Sequence, residues 1–183
     1  MSRKYKFHDK EGIYFISFAT VYWVDLFTRP EYFKVVTDAL QYCRTHKSLE
    51  IFGYCIMPSH VHLLFRSASG DPSSLLRDLK GFTARALLKE IQNHPQESRK
   101  EWLLSMFEEA GQKNSNVSRH QLWQQHNKPI ELWSHTVFQE KLNYVHRNPV
   151  QSGFVTEDED WKFSSARNYA REDQTVLEID LIV

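Results

Sequence analysis

His60 and His62 stand one residue apart in the run Tyr54-Cys55-Ile56-Met57-Pro58-Ser59-His60-Val61-His62-Leu63-Leu64-Phe65. The flanks are aliphatic, β-branched or aromatic, which predicts a buried strand over Val61 to Arg66 with His60 at its entry. Residues i and i+2 of a strand face the same side. Two imidazoles on one side can share a metal ion. They can equally be half-buried histidines bonded to their surroundings, and the spacing alone leaves both readings open. Imidazole suits Zn, Cu, Fe and Ni, whereas phosphate chemistry more often uses Mg or Mn with oxygen ligands.

A second group of reactive side chains lies about eighty residues on, in Lys141-Leu142-Asn143-Tyr144-Val145-His146-Arg147-Asn148-Pro149. Tyr144 and Asn148 are four apart, so a helix puts them on one face. A tyrosine hydroxyl becomes a nucleophile once it loses its proton, and with an unperturbed pKa of about 10 it needs a cation or base beside it. The Asn148 carbonyl is a hard oxygen ligand suited to Mg or Mn. By itself this pair is also what the edge of a core and a helix stop look like. His146 reads as a surface histidine.

The elements that must position these residues follow from periodicity and turn residues. Gly12 to Val24 is rich in Tyr, Phe, Ile, Val and Thr and reads as a long strand. Pro30 can open a helix that runs to about Thr45, with Thr28 as its cap. Leu49 to Met57 is a second strand, broken by Pro58-Ser59. Ser73 to Gln92 has a helical apolar set, capped by Ser73 or Asp71. A helix over Pro95 to Glu109 follows, then a polar loop from Gly111 to Ser118. His120 to Gln125 and Ile130 to Trp133 are short strand candidates. Ser134 caps a helix over His135 to Arg147, which Pro149 should end because a residue before proline is pushed out of helical dihedrals. The order βαββαβ predicts an α+β, ferredoxin-like antiparallel sheet with helices on one face. The tyrosine helix is then an addition to that unit.

At 183 residues the chain reads as one domain, with an insertion at about 92–118 and an acidic C-terminal tail at about 156–183. Its composition is ordinary for a globular protein, with 41% hydrophobic and 25% charged residues. No apolar run is long enough to span a membrane, and the start lacks the apolar stretch of a signal peptide. These features predict a cytoplasmic location. Cys43 and Cys55 read as core thiols. Net charge is zero, but eight acids and three bases fall from Thr156 onward, leaving 20 bases against 15 acids before it. A mildly basic body is compatible with a polyanionic partner, and equally with a solvated mixed-charge surface.

Together MPSHVHLLF and YVHRNPVQSGFV resemble the HUH single-tyrosine transposases, and most closely the REP-associated tyrosine transposases. The resemblance runs from the first strand to the segment Trp161-Lys162-Phe163-Ser164-Ser165-Ala166. It implies that His60 and His62 bind a divalent cation, Mg or Mn. It also implies that Asn148 completes the metal site and that Tyr144 attacks DNA. The activity it implies is nicking and rejoining of single-stranded or hairpin DNA through a 5′-phosphotyrosine bond. A nucleoid-associated location and a possible homodimer fit that expectation. DNA-binding candidates are Arg3, Lys4 and Lys6 in the leading arm, Arg77, Lys80 and Arg85 on the second helix, and Lys141 and Arg147 near the tyrosine. Trp23, Trp123, Trp133 and Trp161 read as core rather than as stacking platforms. Two other readings compete. A non-catalytic regulator could bind structured repeat DNA with the same residues. A metal-dependent phosphoester hydrolase of the histidine-triad type would need a third histidine at position 64, where this chain has Leu64.

Overall fold

Alternation along the first strand sets out the architecture. In β1 (Tyr14–Ala19), Tyr14, Ile16 and Phe18 enter one apolar cluster, while Phe15 enters another on the opposite side of the sheet. A strand that buries both faces must lie between two layers. The computed structural model, which describes residues 7–115, 119–170 and 176–181, has those two layers. The leading-arm candidates Arg3, Lys4 and Lys6 lie outside the described residues.

Four antiparallel strands form the sheet in the order β2-β3-β1-β4, with β2 at Leu49–Ile56, β3 at His60–Ser67 and β4 at Ile130–Glu131. This is the strand order of a ferredoxin-like βαββαβ unit, as expected. Helices α1 (Pro30–His46) and α2 (Pro72–Asn93) cover the face of Ile16, Phe18, Val61, Leu63 and Phe65. Helix α4 (His135–Gln151) covers the other face, through Phe138, Leu142 and Val145 against Phe15, Phe52, Cys55 and Leu64. A short α5 (Ala166–Ala170) follows.

Several boundaries differ from the sequence expectation, each for a physical reason. β1 stops at Ala19, and the chain turns at a 3-10 segment, Val21–Trp23. Helix α1 begins at Pro30, but its cap position is Arg29, which makes no side-chain capping bond, so Thr28 does not cap it. Asp71 caps α2 by accepting from the Ser74 amide. The segment read as an insertion is not peripheral. Its helix α3 (Lys100–Gln112) buries Leu103 and Phe107 in the main core. Ahead of it, the buried Glu97 carboxylate accepts from Tyr32, Arg29 and Arg99, joining this segment to the start of α1.

Helix α4 runs through Pro149 to Gln151 rather than ending before it. Proline near a helix end removes only its own bond to the carbonyl four residues back, and the turn beyond it is closed. Ser152 N–H donates to the Asn148 carbonyl, Phe154 N–H to that of Pro149, and Gly153 N–H to that of Val150. Gly153 has φ +75°, the left-handed helix-ending conformation that glycine adopts freely. Asn148 therefore stays helical and stays on the face of Tyr144.

The acidic tail is also ordered where it is described. Leu177 and Ile179 are buried, Asp180 bonds the backbone of Ile51, and Arg44 pairs with Glu178 and Asp180. Segment 163–165 bonds the same β2 edge at Tyr54 and Ile56. Cys43 and Cys55 are buried free thiols. Among the described residues, no helix is long and apolar enough to cross a membrane.

The seat of α4 depends on one glycine. The β2–β3 register shifts between Ile51 and Gly53, and a Cβ on Gly53 would stand 2.7 Å from Leu142 Cδ1. Gly53→Val is expected to cost about 1–3 kcal/mol by overpacking this contact. Adding Leu142→Ala is expected to recover part of that loss, as read by denaturant unfolding.

Candidate active site

β3 begins where a tight turn ends. Met57 and His60 exchange backbone hydrogen bonds across Pro58-Ser59, so His60 enters the strand at once. His60, His62 and Leu64 then share the α4 face, while Val61, Leu63 and Phe65 fill the core beneath. On the neighbouring strand Ala19 is opposite His60 and Ser17 opposite His62. These small side chains leave the imidazoles room to approach each other.

The two Nε2 atoms face one another at 3.1 Å. Ser59 Oγ lies 3.2 Å from His60 Nδ1. With that hydroxyl accepting from Nδ1–H, the His60 Nε2 carries the lone pair. His62 is almost fully buried, and its Nδ1 has no hydrogen-bond partner among the described residues. Burial pushes His60 below the ordinary imidazole range, against the opposing influence of the Asn148 side chain within hydrogen-bonding reach and of Asp25. Burial, then the charges of His60 and Lys141, push His62 down to about 3. Both rings are therefore neutral near pH 7, the form that offers a lone pair.

Helix α4 brings its reactive face to the pair. The Tyr144 ring stands 5.4 Å from the His62 ring, and both pack on Phe15, at 6.0 and 5.6 Å. Lys141 Nζ lies 5.5 Å over the Tyr144 ring and 5.4 Å over Phe15. Lys141, Tyr144 and Asn148 recur at helical spacing and make one stripe, with the exposed Arg147 beside it. The structure thus brings together His60, His62, Tyr144 and Asn148 within one chain, with Lys141 beside them.

A divalent cation fits this donor set. Two nitrogens bound at right angles, each ~2.1 Å from one ion, stand roughly 3.0 Å apart, close to the observed separation. The Asn148 side chain lies within hydrogen-bonding reach of His60, and its amide carries a hard oxygen. Among the described residues no group of three His, Cys, Asp or Glu side chains is placed to hold a metal.

The other basic candidates lie elsewhere. Lys80 Nζ donates to the Gln124 carbonyl and to Asn127 Oδ1 at 2.8 and 2.5 Å, and burial lowers it to about 8. It ties down a loop and does not present a charge to solvent. Arg77 and Arg85 line a groove between α1 and α2, on the outer side of the helical layer and across the sheet from the histidines.

Three site neighbours are not evident in the sequence. Phe15 stacks on His62, and its place follows only from the β1–β3 register. Trp23 packs edge-on to His60 at 5.4 Å and is 56% exposed. It corrects the reading of Trp23 as core. Trp133 is exposed as well, whereas Trp123 is buried and Trp161 partly so. Tyr22 and Trp23 both have left-handed backbones, φ 57° and 55°. Each costs roughly 1–2 kcal/mol in a residue other than glycine, and nothing in the residue types foretells it. The third is Ser59, visible as a neighbour but not as a partner of His60.

His146 corrects another expectation. It is buried, and its Nε2 meets Ser165 Oγ at 2.8 Å, which fastens α4 to the segment along β2.

The family comparison bears on this geometry. Residues 11–119, more than half the chain, match the family model of IS200-like transposases. The chain belongs to that family. The matched segment contains His60 and His62 and stops short of Tyr144. A curated Haemophilus influenzae protein described as a REP-associated tyrosine transposase is 27% identical over 142 residues, covering 74% of this chain and 69% of that protein. The solved structure of a REP-associated tyrosine transposase bound to a REP hairpin aligns with a TM-score of 0.66 at 19% identity. The alignment covers 100% of this chain and 94% of that one. That likeness is one of fold.

Burial lowers His146 to about 4. The unfolded chain binds this proton near pH 6.5, before the folded chain does, so stability is full above that pH and falls as pH drops towards 4. The loss attributable to His146 reaches roughly 3 kcal/mol. His146→Gln keeps a partner for Ser165 without titrating. It is expected to flatten the acid side of the stability curve by that order, leaving the same-signed contribution of His62. Denaturant unfolding between pH 7 and 4 measures it.

Proposed function

We propose that the protein cuts and rejoins a DNA strand through Tyr144, on single-stranded or hairpin DNA. The observation that carries this reading is the placement of the Tyr144 ring against His62 in the same chain, with Asn148 one helical turn further along at His60. Tyr144 is 43% exposed, which leaves it open to a strand.

His60, His62 and Asn148 would hold a divalent cation, Mg or Mn. When bound, that ion supplies Lewis-acid charge to a phosphate oxygen. Tyr144 gives up its phenolic proton to solvent or a nearby base, and its oxygen attacks phosphorus. A Tyr–O–P bond forms as the P–O3′ bond breaks, and the departing 3′-oxygen takes up a proton. The 5′-phosphotyrosine keeps the energy of the phosphodiester. An incoming 3′-hydroxyl can therefore reverse the step on another strand without a nucleotide cofactor. Lys141, held over the tyrosine ring, places a cation where the phosphate must approach. The Haemophilus relative and the hairpin-bound structural neighbour support hairpin repeat DNA as the substrate class.

Tyr144→Phe is expected to abolish covalent attachment to a hairpin oligonucleotide bearing a single-stranded flank, with the melting temperature unchanged. Denaturing gel electrophoresis reads the adduct. An adduct that survives the substitution overturns Tyr144 as nucleophile, and hairpin binding without any adduct in the wild-type protein favours a non-catalytic regulator.

His60→Ala with His62→Ala is expected to remove the dependence of adduct formation on added Mg or Mn. Isothermal titration with Mn alone should show the loss of one site. Cleavage by the double variant that responds to Mn as the wild type does would place the cation elsewhere.

A further inference from the structure

Tyr22 and Trp23 are two large aromatics in succession, both left-handed and both more than half exposed. Exposure gives back none of the conformational cost, so the surroundings must impose it. They do so through Thr20. Its amide bonds the Ser59 carbonyl, its hydroxyl lies 2.8 Å from the Val24 carbonyl and 3.0 Å from that of Ser59, and its own carbonyl accepts from Trp23 N–H and Gln124 Nε2. Phe27 N–H bonds the Pro58 carbonyl on the far side. The excursion from Thr20 to Phe27 is thus bolted to the turn that delivers His60.

What this fixes is the direction of two rings. Trp23 stands against His60 and leaves much of its indole open. Tyr22 points to an open groove of about 640 Å³, whose wall includes Lys113, Gln124, Gln125 and His126. Lys113 Nζ reaches the Tyr22 hydroxyl at 3.4 Å. Aromatic faces beside amides and cations suit unpaired nucleobases, which stack on rings of any kind and offer edges to amide groups.

We propose that Trp23 and Tyr22 are a stacking step for unpaired bases of single-stranded DNA, leading from the His60–His62 pair into the groove beside Tyr22. The step holds the strand so that the phosphate next to the stacked base lies at Tyr144. This rests on the proposed strand-cutting function for its location, but not for its measurement, because stacking is read by binding.

The test uses the full chain and a short single-stranded oligonucleotide carrying 2-aminopurine, with the same strand annealed to its complement as control. Trp23→Leu and Tyr22→Leu are each expected to weaken single-strand binding about tenfold or more and to leave duplex binding unchanged. Trp23→Phe, which keeps a ring, should restore most of the affinity. Trp23→Gly separates stacking from packing. It relieves the left-handed backbone, so it is expected to hold or raise the melting temperature while affinity falls. Wild-type affinity in Trp23→Leu, or a lowered melting temperature in Trp23→Gly without loss of binding, overturns the inference and leaves the Tyr144 reading untouched. A wild-type protein that binds the strand through Trp23 yet forms no adduct supports the inference and overturns the chemistry. A wild-type protein that binds no single strand yet forms the adduct on a hairpin overturns the inference alone.

Discussion

The site depends on a helix lying against the second face of a sheet. Residues of β3 alternate between the two faces, so the strand that buries Val61, Leu63 and Phe65 must turn His60 and His62 the other way. Without α4 those histidines would look into water and carry ordinary imidazole chemistry. Packing Phe138, Leu142 and Val145 onto Phe15, Phe52 and Leu64 removes that water, neutralises the rings and sets Tyr144 beside them. The same contact therefore makes the site's chemistry and its geometry.

That packing is tight at one point and tied at another. Gly53 lets the helix come close enough for Leu142 to reach the sheet, and the bond from His146 to Ser165 fixes it laterally. Both act on the stripe that carries Tyr144 and Asn148, although neither Gly53 nor His146 faces the histidine pair. Positional accuracy of this kind, rather than an additional reactive group, is what a nucleophile on a separate helix requires.

Much of this was legible in the sequence because it rests on period. The spacing of His60 and His62 gave a shared face, that of Tyr144 and Asn148 gave a helical one, and the element order gave the sheet. What was hidden rests on tertiary contact. Pro149 reads as a stop, yet the helix runs past it and the turn around Gly153 closes on the carbonyls of Asn148, Pro149 and Val150. Lys80 reads as a surface cation because nothing local shows that Gln124 and Asn127 will close over it. Trp23 reads as core because residue type says nothing of a backbone that Thr20, bonded to the distant Ser59 turn, forces outward. His146 was misread for the opposite reason, since its partner Ser165 comes from a segment whose docking no periodicity announces.

The segment docked along β2 has a consequence for how copies of this chain can meet. An exposed strand edge is an invitation to join two sheets into one. Here the long edge is taken, by 163–165 near Tyr54 and Ile56 and by Asp180 at Ile51. The opposite edge is β4, only two residues long. Among the described residues, neither border leaves a long free ladder while the tail stays docked. Asp180, one of the acids that cancel the net charge of this protein, thus helps to keep its sheet closed.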